Sequence, residues 1–420
     1  MLVIENGTLY TPTQVIPDGA VLVDGRHIEA VGKRNELSIP MEAQHLDAGG
    51  GCIAPGFVNM HIHGVGGYDT DDGEVTSLEA MSLLLTRHGV TSWVPTTGSA
   101  PLSDIVAAYG AIRKAMESEW AGAEILGGHV EGPYLSPQER GAHPLELLVE
   151  PRPDECSELL GYADAIKVFT LAPELPGALD LISELKRLGI LISAGHSVAI
   201  DEELGRAVDA GLSHATHMFC NMGALRRANL RRVAGLVESV LLDDRVTTEI
   251  ITDGYVIAPS LMKLALKVKG PGKLAIITDG SALTGLPPGS YTRLGREIIL
   301  EEEISYVADR SAYAGSVATM DQCVHVAVGS MDLALPDAFR MASLTPATIL
   351  GVSDRKGSLE AGKDADVVIL DDDLRVMHTV ARGRVFEATS EPHLEKGGKL
   401  GWRVASGSLI QLSSQGRTTC

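Results

Sequence analysis

Eight short apolar runs recur between Gly56 and Gly280: FVNMHIH (57–63), TSWVPTT (91–97), ILGGHVEG (125–132), IKVFTLAPE (166–174), LISAGHS (191–197), HATHMF (214–219), TEIITDG (248–254) and LAIITDG (274–280). Each has the length of one strand, and their centres lie roughly 20 to 40 residues apart, the size of a βα unit. Segments of helical period stand between them, among them SLEAMSLLLTRHG (77–89), LSDIVAAYGAIRKAM (102–116), LISELKRLG (181–189) and EELGRAVDAG (202–211). Eight βα units in series predict an α/β fold, a (β/α)8 barrel of TIM type. The competing doubly wound sheet of flavodoxin type would end after about five or six strands.

Outside this block the texture is β. VIENGTLYT (3–11) and GAVLVDGRHIEAVG (19–32), the latter with an Asp24-Gly25 turn, read as strands and a hairpin. Two helical segments, VATMDQCVHVAVGSM (317–331) and LPDAFRMASLTPATILG (335–351), follow the barrel, and then β texture returns in DRKGSLEAGKDADVVILDDD (354–373) and the hairpin-like VMHTVARGRVFEA (376–388). Neither flank is large enough to stand alone, so residues 1–52 and 358–390 are expected to pair into one small β-sandwich domain beside a barrel of residues 53–357. The Gly/Ser/Lys-rich residues 391–420 are expected to form a tail of unknown role.

Composition narrows the function. The 420 residues carry 35 Lys and Arg against 55 Asp and Glu, a formal charge of −20, which disfavours nucleic acid and anionic membrane surfaces as partners. Aromatics amount to 4%, too few for base-stacking platforms. The 5 cysteines, Cys52, Cys156, Cys220, Cys323 and Cys420, are scattered without a CxxC pair, so neither a disulfide framework nor a thiolate zinc cluster is indicated. The N-terminus MLVIENGTLYTP has no basic region and no long apolar run, which reads as a cytoplasmic protein.

The runs end in His61 and His63, Thr96 and Thr97, Glu131, Glu174, His196, His217, Asp253 and Asp279. That rim is where barrel enzymes place their chemistry. His61 and His63 share one face of their strand and suit a divalent metal. Glu131, in HVEGPY, could bind one metal or bridge two, and His196 and His217 can converge with it across the barrel mouth. Asp279 has two open roles, metal ligand or the base that moves the proton of a metal-activated water. His129 reads as supporting or core, and His214, facing away from His217 by strand parity, as structural. Nitrogen and oxygen donors of this kind fit zinc or iron first, with manganese or cobalt as alternatives, one or two ions per chain.

With these residues in hand, the chain resembles the metal-dependent amidohydrolase superfamily and, within it, the N-acetylglucosamine-6-phosphate deacetylase family. The matching stretches are APGFVNMHIHG (54–64), HVEGPYLSPQERGAHP (129–144), SAGHS (193–197), ATHMF (215–219), IITDG (276–280), AGSVATMDQCV (314–324) and SLTPATILGVSDRKGSLEAGKDADVVILD (343–371). The resemblance implies that Glu131, His196 and His217 hold the principal metal, that His61 and His63 leave room for a second, that Asp279 is general base and acid, and that His143 polarises the acetyl carbonyl. It further implies a homodimer in which an arginine from the adjoining subunit, here Arg232 in LRRANLRR (225–232), clamps a phosphate. Ala142, Cys220, Asn221 and Ser316 match positions that line the sugar site. As plain structure, Gly315-Ser316 reads equally as the N-cap of the following helix.

Departures from the family pattern bear on the substrate. Asn221 stands one position late, behind Cys220, and Tyr255 stands where the family has a histidine, a neutral phenol in place of an ionisable imidazole. The expected activity is hydrolysis of the N-acetyl group of N-acetylglucosamine 6-phosphate. The alternatives are a related N-acyl substrate, such as N-acetylgalactosamine 6-phosphate or an unphosphorylated N-acetylhexosamine, and a catalytically dead binding protein of the same fold.

Overall fold

A computed structural model describes residues 1–118, 120–152, 156–228, 230–293 and 295–388, with three short strands, Leu394–Glu395, Lys399–Arg403 and Leu409–Gln411, beyond them. The expected tail of 391–420 therefore lies largely outside the described residues.

Each of the eight apolar runs contains a strand: Phe57–Ile62, Val90–Thr97, Gly128–Glu131, Ile166–Leu171, Leu191–Ala194, His214–Ala215, Thr247–Ile251 and Leu274–Ile277. They pair in parallel in that order. The Ile62–Gly280 bridge, with the His63 N–H on the Gly280 carbonyl at 2.8 Å, brings the last strand back to the first. Strands buried on both faces explain the near-continuous apolar runs. Helices follow the strands on the outside, and large side chains such as Phe57, Trp93, Tyr109 and Phe169 fill the space between. Trp93 is fully buried, and its indole N–H is satisfied by Ser82 Oγ at 3.1 Å.

Both chain ends form one further sheet, in the order Arg384–Glu387, Val376–Ala381, Val367–Leu370, Cys52–Pro55, Leu2–Tyr10, Val15–Asp24 and His27–Lys33, with Gln44–Asp47 beside Leu2–Tyr10. The strand Cys52–Pro55 pairs antiparallel with Val367–Leu370 and passes through Gly56 directly into the first barrel strand. A buried ion cluster fixes the returning segment to the barrel: Lys356 Nζ lies 2.7 Å from Glu124, 2.8 Å from Asp364 and 2.7 Å from Asp366.

Two local readings are corrected. The segment expected as one helix over 335–351 is broken at Ser343 into Leu335–Ala342 and Leu344–Ile349. Pro346 lacks an N–H and Ser343 Oγ bonds back to the Phe339 carbonyl at 2.5 Å, so the chain does not continue its turn there. The N-cap of the helix Met320–Met331 is Thr319, in a capping box with Gln322, and not Ser316.

Candidate functional site

The site is built at the C-terminal ends of the strands, where several non-glycine residues leave the β conformation. His196, His217, Phe219, Asn221 and Asp279 have φ of 48, 28, 74, 49 and 49°. Left-handed backbone at such residues costs on the order of 1–3 kcal/mol each and persists only where surrounding structure enforces it. Here it turns the side chains inward over the barrel axis.

Glu131, the last residue of its strand, is buried at the centre. Its two oxygens serve different imidazoles. Oε1 lies 3.0 Å from His217 Nε2 and 3.3 Å from His196 Nε2, while Oε2 lies 3.1 Å from His63 Nε2 and 3.6 Å from His61 Nε2. Asp279 Oδ1 completes the second group at 3.3 Å from both His61 and His63 Nε2.

The far nitrogens of three of these rings are spoken for. His61 Nδ1–H donates to Glu249 Oε1 at 2.6 Å, His63 Nδ1–H to the Thr96 carbonyl at 3.1 Å, and His196 Nδ1–H to the Glu139 carbonyl at 2.8 Å. Each bond places the proton on Nδ1 and turns the Nε2 lone pair toward the centre. Lone pairs then face carboxylate oxygens and one another, with His196 and His217 Nε2 3.0 Å apart and His61 Nε2 buried without a hydrogen bond. Acceptors facing acceptors call for a cation between them. Without another cation there, the carboxylates draw a proton instead: burial opposes charge on His63, yet bonds to Asp279 and Glu131 outweigh it and raise its pKa to about 9. The donor set fits a divalent metal on each side of Glu131, and the ligand atoms of His61, His63 and Glu131 all lie within 4.8 Å of one another.

His143 behaves differently. Its Nδ1 accepts from the Ser99 N–H at 3.2 Å and the Ser99 hydroxyl at 2.8 Å, so the proton sits on Nε2, 3.8 Å from Glu131 Oε2. Burial, then the neighbouring His196, hold this imidazole well below its usual pKa. His143 thus presents a neutral Nε2–H toward Glu131.

A cavity of about 470 Å³ opens over these groups, lined by His63, Glu131, His143, His196, His217 and Asp279 together with Ala142, Cys220 and Asn221. Three expected substrate residues lie elsewhere. Tyr255 is 46% exposed, bonds Glu303 through its hydroxyl and borders a neighbouring cleft. Asp253 Oδ1 takes the N–H groups of both Tyr255 and Val256 at 3.0 Å, and the turn this makes presents Val256 to the cavity. Ser316 is buried behind the wall, where its N–H donates to the Asp279 carbonyl at 2.9 Å and its neighbour Gly315 takes the lining position. Arg232 is exposed on the hairpin Arg226–Ala228/Arg231–Val233, outside the cavity.

Two further groups at the site escaped the sequence reading. Glu249, buried in the seventh strand, accepts hydrogen bonds from His61 Nδ1–H at 2.6 Å and from the His217 N–H at 3.2 Å. A carboxylate inside an apolar run was its only signal. Arg293 also reaches the cavity. His214 is corrected as well: its Nε2 lies 3.5 Å from Glu249 Oε2, inside the barrel with His217, because the strand ends at Ala215 and alternation stops there.

Residues 52–396 match the model of the amidohydrolase family. The chain is 35% identical over 348 residues to N-acetylgalactosamine-6-phosphate deacetylase of Escherichia coli O157:H7, covering 83% of this chain and 90% of that one. It is 33% identical over 397 residues to N-acetylglucosamine-6-phosphate deacetylase of Bacillus subtilis, covering 93% and 98%. The crystal structure of N-acetylglucosamine-6-phosphate deacetylase from Pasteurella multocida superposes with a TM-score of 0.86 at 30% identity, covering 92% of this chain and 99% of that one. Sequence, fold and site agree, and the chain belongs to the amidohydrolase family, in the branch of the N-acetylglucosamine-6-phosphate deacetylases.

Proposed function

We propose that this chain hydrolyses the N-acetyl group of N-acetylglucosamine 6-phosphate, releasing acetate and glucosamine 6-phosphate. One observation carries the reading: Glu131 divides its two oxygens between two imidazole pairs, with the Asp279 carboxylate and the His143 Nε2–H facing the same centre. Glu131, His196 and His217 would hold the principal metal, zinc or iron first and manganese or cobalt as alternatives, and His61, His63 and Asp279 a second. A divalent cation supplies Lewis-acid polarisation and an acidified water of pKa about 7.

The chain's own groups do the rest. His143, neutral and protonated on Nε2, donates to the acyl oxygen as negative charge develops there. Burial works against ionised Asp279, but His61 and His63 outweigh it and keep its carboxyl below the usual range. It is therefore ionised at neutral pH, ready to take a proton from the attacking water and hand it to the leaving nitrogen. Ala142, Cys220 and Asn221 border the sugar. The exposed arginine hairpin supports a homodimer in which Arg232 reaches the phosphate in the neighbouring subunit's site. No helix among the described residues is long and apolar enough to cross a membrane, and the free thiols of Cys52, Cys220 and Cys323 suit the reducing cytoplasm.

Acetate release from N-acetylglucosamine 6-phosphate, its galacto epimer and free N-acetylglucosamine tests the reading. The gluco phosphate should give the highest kcat/KM, and the free sugar should lose about 100-fold or more with the phosphate's charged bonds. Comparable values for the free sugar, or a galacto epimer that surpasses the gluco form, would contradict it.

A further inference from the structure

Between Asp279 and the helix Met320–Met331 lies an antiparallel sheet of three strands, Gly289–Arg293, Arg296–Glu301 and Ile304–Val307. It has a small core of its own, Leu283, Ile298, Leu300, Val307 and Ala314. Arg296 ties it to the site wall by donating Nη1–H to the Ala142 carbonyl at 3.0 Å, one residue before His143.

Arg293, at the end of the first strand, enters the catalytic cavity with His63, His143 and Asp279. Its Nε–H donates to Asp69 Oδ2 at 2.7 Å, while Nη2 stands 3.7 Å from Asp71 Oδ2, beyond hydrogen-bond reach. Nη2 is buried and makes no hydrogen bond among the described residues. Asp71 is itself held by the Gly98 N–H at 3.0 and 3.1 Å, and the next residue, Ser99, fixes the tautomer of His143. Arg293 and His143 therefore stand on one wall. A guanidinium keeps its protons, so the part of Arg293 that lines the cavity offers N–H donors to a bound substrate.

We infer that Arg293 is a specificity-determining residue whose guanidinium donates an N–H to a sugar hydroxyl flanking the acetamido group, while His143 engages the acyl oxygen. The inference rests on the deacetylase reading and adds the part of the substrate that this wall reads. A neutral hydroxyl fits better than the phosphate, because Asp69 and Asp71 already balance the guanidinium charge and would repel a dianion. The fork of Arg293, held by these carboxylates, supplies direction rather than net charge.

The test is acetate release by metal-loaded wild type, Arg293→Gln and Arg293→Lys on N-acetylglucosamine 6-phosphate and its 1-deoxy, 3-deoxy and 4-deoxy analogues. Arg293→Gln should lower kcat/KM on the parent by about 10- to 100-fold. Removing the 1- or the 3-hydroxyl should cost the wild type a similar factor and cost Arg293→Gln almost nothing, while the 4-deoxy loss is equal in both. Lysine should restore part of the rate. If glutamine disturbs folding, as read by circular dichroism, the lysine variant carries the same comparison. An arginine that merely braces the sheet would lower all four substrates by one factor, and that result overturns the inference. So does a loss confined to phosphorylated substrates, tested with free N-acetylglucosamine. Wild type that hydrolyses none of the four refutes the deacetylase reading itself, and this inference with it.

Discussion

Glu249→Gln tests whether the buried carboxylate behind His61 strengthens metal binding at the proposed site. Glu249 is 1% exposed, and one of its oxygens accepts from His61 Nδ1 at 2.6 Å and from the His217 N–H at 3.2 Å, one residue from each side of Glu131. Glutamine keeps an oxygen that can accept both bonds, so the rings hold their tautomers and only the charge is lost. A charge-assisted bond exceeds a neutral one by about 1 kcal/mol, so two such bonds amount to about 2 kcal/mol, or roughly 30-fold in affinity. That lies within the 10- to 100-fold typical of groups that orient metal-binding histidines. Metal-depleted wild type and variant would be titrated with Co²⁺ against a competing chelator, followed by visible absorption. Equal affinities within about 2-fold would mean that the His61 imidazole owes nothing to the charge behind it.

Other consequences can be checked with simpler assays. His143→Ala should lower kcat for acetate release by about 10²–10³-fold with metal content unchanged, as expected for loss of one donor to a developing oxyanion. Lys356→Met leaves Glu124, Asp364 and Asp366 without the ammonium they share, and should destabilise the fold by about 3–5 kcal/mol in urea unfolding. The same cluster sets an acid limit. Burial would raise the pKa of Glu124, but Arg355 and Lys356 outweigh it and bring it down to about 2. A depressed carboxylate stabilises the fold fully above its unfolded pKa of 4.5 and loses that contribution as pH falls toward about 2. The contribution is on the order of 3 kcal/mol, and urea midpoints measured between pH 6 and 3 should fall across that window in wild type and less in Glu124→Gln.

The barrel was legible because strands buried on both faces write themselves as short apolar runs, and because eight of them end in polar residues that a core would avoid. The central constellation followed from the same register: His61, His63, Glu131, His196, His217 and Asp279 end five strands and meet at one point. What lay beyond the strand ends was harder. Tyr255 follows Asp253 by two residues, and spacing does not say which way the turn on that carboxylate will face. Strand parity misplaced His214, since a strand of two residues has no alternation to extend. Glu249 makes sense only when the imidazoles of His61 and His214 and the His217 N–H around it are known, and Arg293 sits in a sheet of short strands that carry little periodic signal.

Whether metal at Glu131 and a proton carried by Asp279 together cleave an acetamide can be read from acetate release from N-acetylglucosamine 6-phosphate by chelator-stripped protein reloaded with Zn²⁺ or Fe²⁺, beside Asp279→Asn treated the same way. Activity should vanish on stripping and return in proportion to bound metal, while Asp279→Asn should take up metal at the Glu131–His196–His217 position and release little or no acetate. Full activity in stripped protein, or in metal-loaded Asp279→Asn, would contradict this mechanism.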